Sequence, residues 1–147
     1  MAQIDKDTFD KPGQYNLDEI AIISYGFDEE ALPRRIDIKG ILYNFEIAED
    51  ILTNNVVGSA IVYDMQDVRS MLPIVGLERL SLKFNSPGTP GYDFTEDNGV
   101  PLQIYKVDKV KRDPNTDGAQ LYQIYFCSPE MYNNSISKIS KAYAGPI

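Results

Sequence analysis

From residue 35 onward, apolar side chains recur at every second position, the period of a half-buried strand. Ile36 and Ile38 alternate with Asp37 and Lys39, and Ile41, Tyr43, Phe45 and Ile47 then alternate with Leu42, Asn44, Glu46 and Ala48. The apolar parity flips at Gly40. A period-two strand changes parity only through an extra residue or a bend, so the pattern predicts one strand over 36–47 with a bulge at Gly40. At about 3.3 Å per residue such a strand is roughly 40 Å long. Further strands are expected over 56–63, 78–84, 100–110 and 119–128. The last has Tyr122, Ile124 and Phe126 on one face and Leu121, Tyr125 and Cys127 on the other. Apolar residues on both faces predict a central strand buried on both sides.

Breaks in the period place the connections. Asn54-Asn55, the run from Asn85 to Gly91 and the run from Lys111 to Gly118 are rich in turn-forming residues. Asp64 followed by Asp67 is an acidic relative of the capping box and predicts a short helix to residue 72, closed by Pro73. Ser128-Pro129-Glu130 reads as a cap, a proline in the first turn and an acidic first turn, so a second short helix is expected to about Asn133. Residues 135–143 read as a last strand with serine and lysine towards water. The first 33 residues keep no sustained period. Within them 20–25 could form one short strand, and 28–32 at most a helical turn that Pro33 stops. We therefore read 1–33 as an N-terminal arm and 34–147 as a single mainly β domain, a barrel or sandwich of about six strands with one or two short helices.

Composition narrows the function classes. A chain of 147 residues, 43% hydrophobic and 24% charged, can bury a conventional core. No apolar run approaches the ~18 residues of a membrane helix, and the start MAQIDKDTFD has neither the basic flank nor the apolar stretch of a signal peptide. Synthesis in a cytoplasm is the expectation. The single Cys127 excludes an internal disulfide framework and a multi-cysteine zinc site, and the lack of histidine removes the usual general base and metal ligand. A net charge of −8 argues against wrapping nucleic acid or binding anionic membranes.

Candidate chemistry is sparse. Asp113-x-Asn115-x-Asp117-Gly118 fits the first half of a calcium loop, but the twelfth position holds Ile124 rather than an acid, and strands flank it instead of helices. It reads as a hairpin turn, with no metal expected. Glu46, Glu49, Asp50 and Asp64 could in principle form acid pairs for glycoside hydrolysis, yet nothing raises any pair above the rest. Cys127 lies in an apolar strand and reads as a structural thiol. Neither GxGxxG nor GxxxxGK[ST] occurs, so no cofactor is expected. Asn133-Asn134-Ser135 matches a glycosylation acceptor but lacks a secretory context. No catalytic residue is assigned, and the chain reads as a non-enzyme. Its ten tyrosines and six phenylalanines suit both strands and subunit contacts.

Two stretches carry a resemblance. One runs Gly58-Ser59-Ala60-Ile61-Val62-Tyr63-Asp64, followed by Met71-Leu72-Pro73-Ile74-Val75-Gly76-Leu77-Glu78-Arg79-Leu80. The other runs Gln123-Ile124-Tyr125-Phe126-Cys127-Ser128-Pro129-Glu130 into Asn134-Ser135 and Ser140-Lys141-Ala142-Tyr143-Ala144-Gly145. Together, over residues 34–145, they resemble the N-terminal tube-type part of baseplate hub proteins of T-even-type and cyanobacterial contractile-tailed phages. The resemblance implies a tube-type β-barrel in a virion structural protein. Such proteins form a ring that joins the tail tube to the cell-puncturing spike. The implied partners are copies of the chain and neighbouring tube, spike and baseplate proteins, with DNA only as passing cargo. The family continues well past the region matching 143–145, which leaves a ring of three or of six open. Subunit contacts are expected from the arm and the long strand, at Ile23, Tyr25, Ile41, Tyr43 and Phe45. The alternatives are a tail tube or tube-initiator subunit, a carbohydrate-binding β-sandwich using tyrosines and carboxylates, and a small monomeric assembly chaperone.

Overall fold

The computed structural model describes residues 15–24, 35–53, 55–72, 74–86, 90–116 and 118–138. Tyr25, the turn expected over 28–32, Asp117 and residues 139–143 of the expected last strand lie outside them. Among the described residues the chain is mainly β, with eight strands and two short helices. The strands are β1 (Asn16–Ile23), β2 (Arg35–Asp37), β3 (Leu42–Asp50), β4 (Asn55–Asp64), β5 (Arg79–Asn85), β6 (Tyr92–Phe94), β7 (Leu102–Arg112) and β8 (Gln120–Cys127). Helices α1 (Val68–Met71) and α2 (Pro129–Ile136) follow β4 and β8. Every pairing is antiparallel, in the order β2-β1-β5-β7-β8-β4-β3, with β6 paired to β5 beside the start of β7.

The expected long strand over 36–47 is two strands, and Gly40 marks a turn rather than a bulge. The Asp37 carboxylate accepts the Lys39 backbone N–H at 2.8 Å, and the Ile41 N–H donates to the Ile38 carbonyl at 3.1 Å, closing a 3₁₀ turn over Lys39–Ile41. Such a side-chain-to-backbone bond diverts the chain from the ladder. The turn also explains the parity flip, because it lets both Ile38 and Ile41 point into the core. It carries the chain from one end of the sheet to the other: β2 and β3 are its two edges. Among the described residues the sheet is not closed as a barrel.

One core nevertheless fills its concave side. Ile20 and Ile22 of β1, Leu80 and Leu82 of β5, Leu102 and Ile104 of β7, Tyr122, Ile124 and Phe126 of β8, and Ala60 and Val62 of β4 form a single buried cluster. Where strand pairing stops, aromatic rings continue. Phe45 of β3 meets Phe84 of β5 at 5.3 Å between ring centroids, Phe84 stacks on Tyr92 at 5.2 Å, and Tyr15 stands edge-on to Phe45 at 5.2 Å. The Tyr92 hydroxyl donates to the Glu49 carboxylate at 3.1 Å. Edge-to-face and stacked rings at these separations are favourable, and they hold β3 against β5 and β6 without a hydrogen-bonded ladder.

Other expectations need correcting in detail. Residues 16–23, assigned to the arm, form an inner strand between β2 and β5, and Ile20 to Ile23 are all buried. The helix expected over 64–72 shrinks to four residues, since Asp67 adopts a left-handed conformation and Asp64 ends β4. Residues 135 and 136 complete α2 instead of opening a strand. The outer face of β8 is only partly covered: Cys127 is buried near α2, while Leu121, Gln123 and Tyr125 stay half-exposed.

Candidate functional site

Among the described residues two buried carboxylates stand out by environment, and both serve the fold. Glu78 accepts three consecutive backbone N–H groups, from Val75 at 3.0 Å, Gly76 at 2.9 Å and Leu77 at 3.2 Å. The loop curls around its carboxylate because Gly76 takes a left-handed φ of 96°, which glycine adopts without strain. Gln103 of β7 clamps the same loop, donating to the carbonyls of Glu78 and Ile104, each at 3.0 Å. Residues 75–78 are thus an anchored structural clasp. Asp64, at the end of β4, accepts the Gln66 N–H at 3.0 Å and the Tyr122 hydroxyl at 3.3 Å. Burial and then the Asp64 charge push the Tyr122 hydroxyl well above its ordinary pKa, so it stays protonated as a donor. Arg69 lies over the Tyr122 ring, 5.6 Å from its centroid.

The four acids considered for hydrolysis are not brought together. Glu46, Glu49 and Asp50 lie on β3 and are exposed, whereas Asp64 is buried at the far end of β4 from the Asp50–Asn55 pair. Among the described residues no three His, Cys, Asp or Glu side chains converge as a metal site. In the loop after β7, the Asp113 carboxylate accepts the Tyr63 hydroxyl at 2.6 Å and the Asn115 N–H at 2.8 Å. The Tyr63 hydrogen bond, then the Asn115 backbone bond, hold its pKa below the ordinary aspartate value. Both oxygens thus have protein donors.

The surface, by contrast, offers three features. At the open end of the β3–β4 hairpin, an apolar groove of about 630 Å³ is lined by Ile41, Tyr43, Ile61, Tyr63, Met65 and Leu121. The turn at Gly40 and a register shift between Leu42 and Asn44 shape its rim. At the opposite end of the hairpin, Ile51 and Leu52 are 96% and 90% exposed. The Asp50 carboxylate accepts the Leu52 N–H at 2.8 Å, fixing the turn that displays them. A third feature is a shallow trough of about 500 Å³ over the convex side, with Glu46, Ser59, Tyr105 and Tyr125 on its walls. There the Tyr105 and Tyr125 rings are 6.3 Å apart and Lys106 lies 5.3 Å from the Tyr125 centroid.

Comparison with protein-family models, curated proteins and solved structures gives no match.

Of the five residues expected at subunit contacts, Tyr43 is 78% exposed, and Ile41 lies buried in the floor of the same groove. Ile23 is buried in β1, and Phe45 packs into the aromatic bridge to β5. Tyr25 lies outside the described residues. The period-two reading missed Ile51 and Leu52, because two adjacent apolar residues in a turn leave no periodic signal. What could have found them is their position beside Asn54-Asn55, where apolar side chains have no core to enter.

Proposed function

We propose that the chain is a structural subunit of a contractile phage tail, part of the baseplate hub ring that joins tube to spike, or of the tube beside it. The family resemblance supplies the tail assignment, and one structural observation supports an assembling subunit: β3 is a nine-residue edge strand with no strand partner on its outer side among the described residues. A long open edge is a template for pairing with another chain. Of its charges, Glu49 and Asp50 lie at one end and Glu46 at the middle, and the other end carries exposed Tyr43 above an apolar groove. A neighbouring copy pairing along β3 would cover both.

Light scattering on the purified chain tests this reading. The wild type is expected to associate, and Tyr43→Glu, at a position too exposed to matter for folding, is expected to remain folded and lose association. A wild-type chain that stays monomeric would remove the proposal.

The convex trough favours a second reading, a carbohydrate-binding module in which Tyr105 and Tyr125 contact sugar faces and Glu46 and Ser59 bond hydroxyls. A glycan-array screen separates the two. Saturable binding lost in Tyr125→Ala supports the second reading.

A further inference from the structure

We propose that Asn98 is a site of spontaneous modification, at which the side-chain amide leaves as ammonia and aspartate or isoaspartate takes its place. It concerns the turn after β6 and stands independently of the assembly reading above.

Sequence and fold together single out this asparagine. The reaction needs the backbone nitrogen of the next residue to reach the side-chain carbonyl carbon, and a side chain on that next residue obstructs the approach. Asn98-Gly99 is the only Asn-Gly pair in the chain. Glycine has no Cβ, and around Gly99 nothing lies within 4 Å of where one would stand. Asn98 and Gly99 are both exposed, so water reaches the reacting atoms. The other described asparagines are worse placed. Those in β1, β3, β4, β5 and α2 lie where regular hydrogen bonding holds the backbone against the distortion that ring closure needs. Asn115 lies in a loop but precedes the branched Thr116.

Two hydrogen bonds oppose the reaction and set its pace. Asn98 Nδ2 donates to the Asp93 carbonyl and the Gly99 N–H donates to the Glu96 carbonyl, each at 3.0 Å. Both belong to an exposed turn, and such turns open locally while the sheet stays folded. Once the turn is open, the Gly99 nitrogen gives its proton to hydroxide and bonds to Asn98 Cγ. The Cγ–Nδ2 bond breaks, and ammonia leaves with a proton from water. The five-membered imide then takes up one water. Cleavage at Cγ gives aspartate, cleavage at the backbone carbonyl carbon gives isoaspartate, and no atom is oxidised or reduced. The new carboxylate can only accept hydrogen bonds, so the bond to the Asp93 carbonyl is not remade. Charge acts in the same direction. Asp93, Glu96 and Asp97 already flank the site, and the Lys83 ammonium is held by Asp93 at 2.8 Å. Strand β6 thereby loses a fastening next to Tyr92, the ring that stacks on Phe84 and bonds to Glu49.

Peptide mapping by mass spectrometry tests the proposal, on the full chain held folded at mildly alkaline pH, with a synthetic peptide of residues 95–101 as the reference. Fragment ions should place a gain of one mass unit at Asn98 before any other asparagine changes, more slowly than in the free peptide. The product should separate by chromatography into aspartate and isoaspartate forms, and Asn98→Gln should remove the gain. In hydrogen exchange, Asn98→Asp should speed exchange of the β6 amides and leave those of β8 unchanged. An intact Asn98 in the folded chain after the free peptide has fully converted would overturn the proposal, because the turn would then protect the site. So would earlier conversion at any other asparagine. A product holding aspartate alone would mean direct hydrolysis and overturn the ring-closing route, and equal β6 exchange in Asn98→Asp would overturn the loss of fastening.

Discussion

Single residues decide how tightly the frame is held. Glu78 is buried with three backbone donors on its carboxylate, so Glu78→Gln, which weakens charge-assisted bonds, should cost about 1–3 kcal/mol in urea unfolding. Gly58 of β4 pairs with Phe126 of β8, and a Cβ there would stand 2.5 Å from the Glu46 carbonyl oxygen and from the Phe126 ring. Neither backbone nor a packed ring yields easily, so Gly58→Ala should destabilise by about 1–3 kcal/mol in the same assay. Burial raises the pKa of the Cys127 thiol, outweighing the opposing effect of the Tyr132 backbone N–H. Thiol-labelling reagent should accordingly react fast with the unfolded chain and slowly with the folded one; equal rates would show Cys127 to be open. Asp113 tests the loop after β7. Its pKa is depressed, so its stabilising effect is complete above the ordinary aspartate value of 3.8 and is lost as pH falls through the lowered value. Unfolding midpoints measured down the acid side should therefore converge for wild type and Asp113→Asn, with the gap between them widest near neutrality.

At the scale of elements, legibility followed the length and regularity of the period. The expected strands over 56–63, 78–84, 100–110 and 119–128 correspond to β4, β5, β7 and β8, each long enough for alternation to register. Strand β6 is three residues, Tyr92–Phe94, after a Gly/Pro loop, too short for a period to emerge. The parity flip at Gly40 was visible, but a bulge and a 3₁₀ turn shift parity alike. What separates them is the Asp37 carboxylate on the Lys39 N–H, a contact that alternation does not encode. β1 was assigned to an arm because the first 33 residues keep no sustained period, and only the three-dimensional order places it between β2 and β5. The candidate surface was legible in part. Tyr43 stands in an obvious strand, while Ile51 and Leu52 stand in a turn. This placement changes what variants should do. Ile23→Glu puts a carboxylate in a buried strand position and should cost on the order of 3 kcal/mol or more of folding stability. Tyr43→Glu should leave the thermal midpoint within a degree or two of wild type, on the order expected of exposed sites.

At the scale of the whole molecule, the described residues form one open antiparallel sheet around a single core, with its edges β2 and β3 joined by one turn and β3 braced against β5 and β6 by aromatic rings. Among the described residues one face of the sheet is filled by the chain's own side chains, which leaves the outer face, the hairpin ends and the edge strands β2 and β3 to meet a ligand or partner. The β3 edge is the surface that a ring of copies would use for lateral pairing. No helix among the described residues is long and apolar enough to cross a membrane. The most direct test of an assembling tail subunit is negative-stain imaging of the purified full chain, with particle mass measured on the same sample. The account predicts closed rings of three or six copies with a central opening, lost in Tyr43→Glu. Uniform particles of monomer mass, with no ring at any concentration at which the chain stays in solution, would contradict it.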